Sequence, residues 1–125
     1  MNQPYPLQSE TQTLIGISFE IHNTSGSGFL EIVYKDALEL ELKKRGIDYQ
    51  REKEYLVKYK EIILPHKFYA DFVVYNSVIL EIKAKEGIEG VHYAQVINYL
   101  RVSGSKVGLI LNFGGTSLEI KRFVL

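Results

Sequence analysis

The sequence has no cysteine, an absence that excludes disulfides, thiolate zinc sites, iron–sulfur clusters and cysteine nucleophiles. Histidine is scarce as well: His22, His66 and His92 lie far apart and show no paired metal-ligand spacing. A metal is therefore expected on carboxylates, which selects Mg²⁺, Mn²⁺ or Ca²⁺. No long hydrophobic run is present, and Met1-Asn2-Gln3-Pro4-Tyr5-Pro6 has no basic residue. Neither a signal peptide nor a membrane span is expected, and the cytoplasm is the expected location. Charge of one sign is not in excess either, since 15 Lys+Arg face 15 Asp+Glu. Strong non-specific nucleic-acid binding rests on a basic excess, so such contact here is expected to be local and metal-assisted. No linker, repeat or low-complexity segment divides the chain, and 125 residues with 46% hydrophobic content suit a single domain over 1–125.

What is present is unevenly distributed. Residues 1–34 contain no Lys or Arg, whereas residues 35–67 hold nine basic groups against seven acidic ones. The basic groups between Lys35 and Lys67 are candidates for a phosphate-facing surface. Ser9 and Gln12 fit a capping box for a helix to about Asn23, with Leu14, Ile17, Ile21 and Phe19 turned inward. After the break at 24–28, a second helix is expected over Phe29–Arg45, with a stripe of Leu30, Val33, Ala37, Leu38 and Leu42 and with Gly46 as its cap. Residues 47–64 read as one or two strands bent near Lys60-Glu61. Residues 68–75 and 78–84 read as an antiparallel hairpin around Asn76-Ser77. A helix over 90–103, stopped by Gly104, leads to strands at 106–113 and 118–124. The strand–helix–strand step favours a right-handed parallel crossover, hence a mixed sheet with helices on its faces.

Two acids stand inside the apolar runs of the hairpin, Asp71 and Glu81. Buried charges in strands are costly unless paired or metal-bound. Strand alternation puts Glu81 and Lys83 on one face, about 6–7 Å apart, with Val78, Leu80 and Ile82 toward the core. If Asp71 reaches that face, two carboxylates can chelate one hard cation, with the Ile82 carbonyl as a third oxygen and Lys83 placed to orient a water. A two-residue loop at Asn76-Ser77 would pair Asp71 with Ile82 and put Asp71 on the wrong face, so an odd loop or a bulge is required. The plain alternative is an internal salt-bridge network of Asp71, Glu81 and Lys83. Glu31 and Tyr34, at i and i+3, and Gln95 and Tyr99, at i and i+4, are unremarkable taken singly. His22 and His92 are expected to be surface or satisfied helix histidines.

Gly28-Phe29-Leu30-Glu31-Ile32-Val33-Tyr34 resembles the signature of the small GxxExxY proteins. The resemblance extends over nearly the whole chain through His22, Ala37-Leu38, Gly46, residues 70–74, Glu81-Ile82-Lys83-Ala84, residues 95–100 and residues 108–113. That family is placed in the PD-(D/E)XK nuclease superfamily. The resemblance implies a restriction-endonuclease-like α/β fold with an αβββαβ core, a mixed central sheet flanked by helices and an additional N-terminal helix. It also implies Mg²⁺-dependent hydrolysis of phosphodiester bonds in nucleic acid, with Mn²⁺ as a substitute; DNA is favoured over RNA as the substrate, and the choice between them stays open. By position, Asp71, Glu81, the Ile82 carbonyl and Glu31 look like metal ligands and Lys83 like the catalytic lysine. Gln95 looks like the glutamine of the following helix, with Tyr34 and Tyr99 as substrate contacts. Ala70 occupies the position named for proline. The competing expectation is a non-catalytic nucleic-acid- or metal-binding module that keeps this fold. A globule with a radius of gyration of about 14 Å cannot enclose a duplex, so a homodimer is expected where two strands are cut.

Overall fold

The structure is a computed structural model that describes residues 6–125. The signal-peptide expectation bears on residues outside that range. Helix α1 (Gln8–Ser25) and helix α2 (Glu31–Lys44) are followed by strand β1 (Tyr49–Tyr55), a small ribbon of β2 (Lys58–Tyr59) and β3 (Ile62–Ile63), and strands β4 (Phe68–Val74) and β5 (Val78–Lys83). Helix α3 (Gly90–Ser103), β6 (Val107–Asn112) and β7 (Glu119–Val124) complete the chain. The main sheet has the order β1-β4-β5-β6-β7, with β5 and β6 parallel and the other neighbours antiparallel. The expected αβββαβ core is α2-β1-β4-β5-α3-β6, with α1 as the additional N-terminal helix.

The sheet separates two apolar layers. On one side Leu14, Ile17, Ile21, Tyr34, Leu38 and Leu42 from the first two helices meet Phe72, Val74, Val78, Leu80 and Ile82. On the other, Val96 and Leu100 of α3 meet Ala70, Val73, Ile79 and Ile110. Strands buried on both faces read as continuous apolar runs, which is how β5 and β6 appear in the sequence. Gly108 lets α3 approach β6: a Cβ there would lie 2.9 Å from Val96 Cγ1.

Several local expectations give way. Helix α1 starts at Gln8, behind a left-handed Leu7 with no side-chain cap, so Ser9 lies inside the helix and its capping box does not form. Phe19 is 45% exposed, because the buried stripe runs through Leu14, Ile17, Ser18 and Ile21 on another side of the helix. Helix α2 begins two residues later than expected. Leu30 is 76% exposed and the inward stripe is Tyr34, Lys35, Leu38 and Leu42, so Leu30 and Val33 drop out of the core. The bend at Lys60-Glu61 is present: both residues are left-handed and join β2 to β3, giving three short strands over 49–63.

Register in the hairpin decides the placement of the acids. Val74 pairs with Val78, leaving a three-residue loop, Tyr75-Asn76-Ser77, with Tyr75 and Asn76 left-handed. The odd loop required for Asp71 to face Glu81 is therefore present. It includes Tyr75 because that residue's N–H is taken by Asp48 O at 2.9 Å, not by β5.

The end of β5 is clamped by β6 and its turn. Asn112, buried within an apolar strand, accepts from Lys85 N–H and donates to Lys85 O, each at 3.0 Å, while Phe113 N–H donates to Lys83 O at 2.8 Å. A Cβ on Gly114 would lie 2.0 Å from Lys85 O, so only glycine permits this approach. We expect Gly114→Ala to destabilise the fold by about 1–3 kcal/mol in urea denaturation. Gly87→Ala, at a position with open space around it, should stay within about 0.5 kcal/mol of wild type.

Candidate active site

The acid pair sits where β4 leaves β5. Backbone pairing between them covers Phe72 to Val74 against Val78 to Leu80 and stops there, although both strands continue. Beyond that point side chains replace the ladder. Asp71 N–H donates to Glu81 Oε2 at 2.9 Å, and Ile82 N–H donates to Asp71 Oδ2 at 2.8 Å. Each acid thus satisfies a buried backbone donor on the opposite strand, a donor that would otherwise be costly to leave unpaired.

The alternation of side chains also slips at this point. Phe72 and Val74 lie in the layer with α1 and α2, whereas Ala70 lies in the layer with α3 and Phe68 stacks on Tyr99 of that helix. On β1, Tyr49 packs in the first layer and Tyr55 in the second. Residues an even number apart would share a face in a regular strand. The change falls at Asp71 and at Glu52 opposite it, whose φ of 55° is rare for a residue other than glycine. The slip turns Asp71 out of its own strand and toward the place where Glu81 and α2 meet.

Lys35, on α2, closes the centre from that side. Its Nζ lies 2.6 Å from Glu52 Oε1 and 3.0 Å from Asp71 Oδ1, with the side chain 10% exposed. Burial alone would lower the Lys35 pKa, but hydrogen bonds and charges from Glu52 and Asp71 more than offset that and raise it. The ion pairs at this centre thus join Lys35 to Glu52 and Asp71, and among the described residues neither Glu81 nor Lys83 of the expected network takes part. Lys83 makes no ion pair with Asp71 or Glu81 within 4.0 Å among the described residues, whereas Lys35 pairs with Asp71.

The other predicted residues divide into two groups. Glu31, at the first turn of α2, has its pKa raised by burial and then by Asp71, while Lys83, Lys35 and Lys85 oppose the shift, so it faces the same centre. Tyr99 is pushed up to about 12, chiefly by burial and then by the charges of Glu81 and Asp71, against a hydrogen bond from Gln95. Tyr99 stacks on Phe68 of β4 at 4.3 Å, so it and Gln95 stand on the α3 side of the strand that carries Asp71. Tyr34 does not. It is fully buried, stacks on Phe113 at 4.6 Å and donates its hydroxyl to Gly26 O at 2.6 Å. The expected substrate contact becomes a brace for the loop before α2, since no surface of Tyr34 is open. His22 and His92 are satisfied helix histidines, bonded to Gly115 O and to Glu89 N–H respectively.

The donor set of the centre is oxygen alone. Two carboxylates from parting strands fit a hard divalent cation whose remaining positions are filled by backbone and water. Glu31 is not grouped with them at ligating range: among the described residues no three acidic or histidine side chains form a ready metal cage. Lys35 supplies positive charge to the same acids. The residues that sequence reasoning missed are Lys35 and Glu52. Lys35 had a usable signal, since it lies at i+4 from Glu31 and so on the same helix face. Glu52 had none, because its role depends on strand pairing with Asp71.

A family model for the PD-(D/E)XK nuclease superfamily matches residues 8–123. The chain belongs to the PD-(D/E)XK nuclease superfamily. The superfamily suggests nuclease activity on nucleic acid. Among solved structures, the crystal structure of SSO0001 is similar, with a TM-score of 0.61 and 20% identity over 94% of this chain. The chain spans 59% of that protein's length, and the likeness is one of fold. No curated protein matches the chain. Among the described residues no helix of this PD-(D/E)XK chain is long and apolar enough to cross a membrane.

Glu81 carries the pH dependence of the site. Burial, followed by the charge of Asp71, raises its pKa from 4.5 to about 8. Between those values the folded state holds a proton that the unfolded state has lost, so raising the pH favours unfolding. We expect the stability of wild type relative to Glu81→Gln, in chelator, to fall as pH rises from 4.5 towards 8. The slope should be at most about 1.4 kcal/mol per pH unit. Urea denaturation across that range checks this, and a flat difference would place the proton elsewhere.

Proposed function

We propose that this chain is a Mg²⁺-dependent nuclease of the GxxExxY type, acting as one domain over residues 1–125 in the cytoplasm, with Mn²⁺ as a substitute ion. The observation that carries the reading is the exchange between Asp71 and Glu81. It fixes two carboxylates side by side where the strands part, with Lys83 on the same strand face as Glu81. Asp71, Glu81 and the Ile82 carbonyl would hold the ion, with Glu31 contributing through a water. A bound divalent ion supplies Lewis-acid stabilisation of the negative charge that develops on the phosphoryl oxygens.

The chain's own residues supply the remainder. Lys83 would position the attacking water and offset charge as the water oxygen bonds to phosphorus and the ester P–O bond breaks, the water's proton passing to solvent and the departing oxygen taking one from solvent. Gln95 and Tyr99 contact the sugar-phosphate backbone or orient Lys83. Tyr99 is a phenol at neutral pH and can donate its O–H to a phosphate oxygen. The Asn112 and Gly114 clamp fixes the segment after Lys83 and so limits where its ammonium can go. DNA is preferred over RNA on the restriction-endonuclease-like architecture alone, and a homodimer would serve where both strands of a duplex are cut.

One observation favours a second reading, a module that binds nucleic acid or metal without cleavage. Lys35 already neutralises Asp71 from within hydrogen-bond distance, which is what a site that has dispensed with the ion would show. Two measurements separate the readings. Labelled single- and double-stranded DNA and RNA are incubated with Mg²⁺ or Mn²⁺, and Mn²⁺ binding is titrated in parallel. The nuclease reading expects cleavage, reduced at least about a hundredfold in Lys83→Ala and Asp71→Asn. Activity unchanged in both variants removes these residues from the mechanism, and Mn²⁺ binding with no cleavage of any substrate supports the second reading.

A further inference from the structure

We propose that the groove between the β2–β3 ribbon and α3 binds unpaired nucleobases, so that the chain engages its substrate as a single strand beside the acid pair. This rests on the nuclease reading and adds a substrate class to it: single strands, overhangs or flaps in preference to continuous duplex.

The ribbon presents one apolar face. Lys58 pairs with Ile63 and Tyr59 with Ile62, and Leu64 N–H continues the ladder to Val57 O at 2.9 Å. Alternation then puts Val57, Tyr59, Ile62 and Leu64 on the same side. Tyr59 is 58% and Ile62 64% exposed, and neither belongs to either core layer. At the foot of this face is a cavity of about 390 Å³ lined by Val57, Phe68, Asn98, Tyr99, Arg101 and Val102. Its walls are rings and aliphatic groups, and Arg101 Nη1 lies 3.4 Å from Asn98 Oδ1. Such walls suit the flat face of a base, an amide suits its polar edge, and a guanidinium suits the phosphate beside it.

Two observations favour a nucleic acid strand over a protein partner. The first is continuity: Tyr99 and Phe68 line the cavity, their rings stack at 4.3 Å, and Phe68 lies on β4, the strand that carries Asp71. A base in the cavity then rests three residues along β4 from Asp71, so that the backbone of the same strand can run on toward the acids. The second is charge. Lys53 Nζ lies 5.8 Å from the Tyr55 ring centroid and Lys60 Nζ 5.4 Å from that of Tyr59. With Arg101 in the cavity wall, these cations stand beside rings in a molecule of zero net charge. Lys67 is not counted, because Glu54 already pairs with it at 2.7 Å. Protein interface cores are depleted in lysine, whereas grooves for single strands combine cations with stacking rings.

The test is fluorescence anisotropy at low ionic strength with metal chelated. The probes are a fluorescein-labelled mixed-sequence single strand of DNA, the same strand with abasic sites in place of its bases, and a blunt duplex. The single strand should bind more tightly than the duplex. Removing the bases, or testing Tyr59→Ser/Ile62→Ser or Val102→Glu, should weaken binding about tenfold. The ribbon variant alters only exposed side chains and should melt as wild type does. Equal binding of the abasic strand, undiminished binding by the variants, or preference for duplex overturns the proposal. So does a change in elution volume of the ribbon variant with strand binding intact, which would assign the face to a second copy of the chain. Strand binding without cleavage in Mg²⁺ removes the nuclease reading and leaves this one. Cleavage of blunt duplex at a rate indifferent to the ribbon variant does the reverse.

Discussion

Where two hydrogen-bonded strands part inside a protein, the backbone groups they release must find other partners. Here Asp71 and Glu81 provide them, each accepting an N–H across the gap. The two acids are held where they are by this requirement as much as by any chemistry. A carboxyl group that bonds a buried amide has a fixed rotamer, and burial beside Asp71 makes Glu81 hold its proton up to about pH 8. Around the pair stand Lys35 from α2, which ion-pairs with Asp71, Lys83 at the end of β5, and the phenol of Tyr99 from α3. Alanine at either acid therefore removes a structural bond together with a charge, and amide substitutions separate the two effects more cleanly.

The slip in strand alternation follows from the same place. Glu52, left-handed within a strand, stores strain of order 1–3 kcal/mol that its surroundings must hold. Its carboxylate meets Lys35 at 2.6 Å, which is part of what holds it. The strain and the ion pair together turn Asp71 from a core-facing position to one that Glu81, α2 and α3 all reach.

Much of this was legible in the sequence, and the limits have physical causes. The apolar runs of β5 and β6, the helix between Gly90 and Gly104, and the parallel step that joins them follow from periodicity and turn chemistry. The requirement of an odd hairpin loop followed from alternation alone. What failed was local reading at helix starts: Ser9 looked like a cap, and Leu30 and Val33 looked like part of a stripe that in fact begins at Tyr34. Apolar residues near an exposed helix end obey no core, so their spacing misleads. Lys35 was hidden in another way, since a lysine in a helix is normally solvated and only the fold shows it turned against Asp71. Glu52 was hidden completely, because nothing in composition predicts a left-handed glutamate in mid-strand.

The β2–β3 ribbon lies within the connection between β1 and β4, two strands that are themselves bonded neighbours. Its length is therefore independent of the register of the sheet. Residues added to or removed from 56–66 change how far the arm reaches and leave the pairing of Tyr55 with Phe68 as it is. The chain keeps its chemistry in a rigid crossing of strands and its reach in a tethered hairpin, so the two can diverge separately as sequences drift.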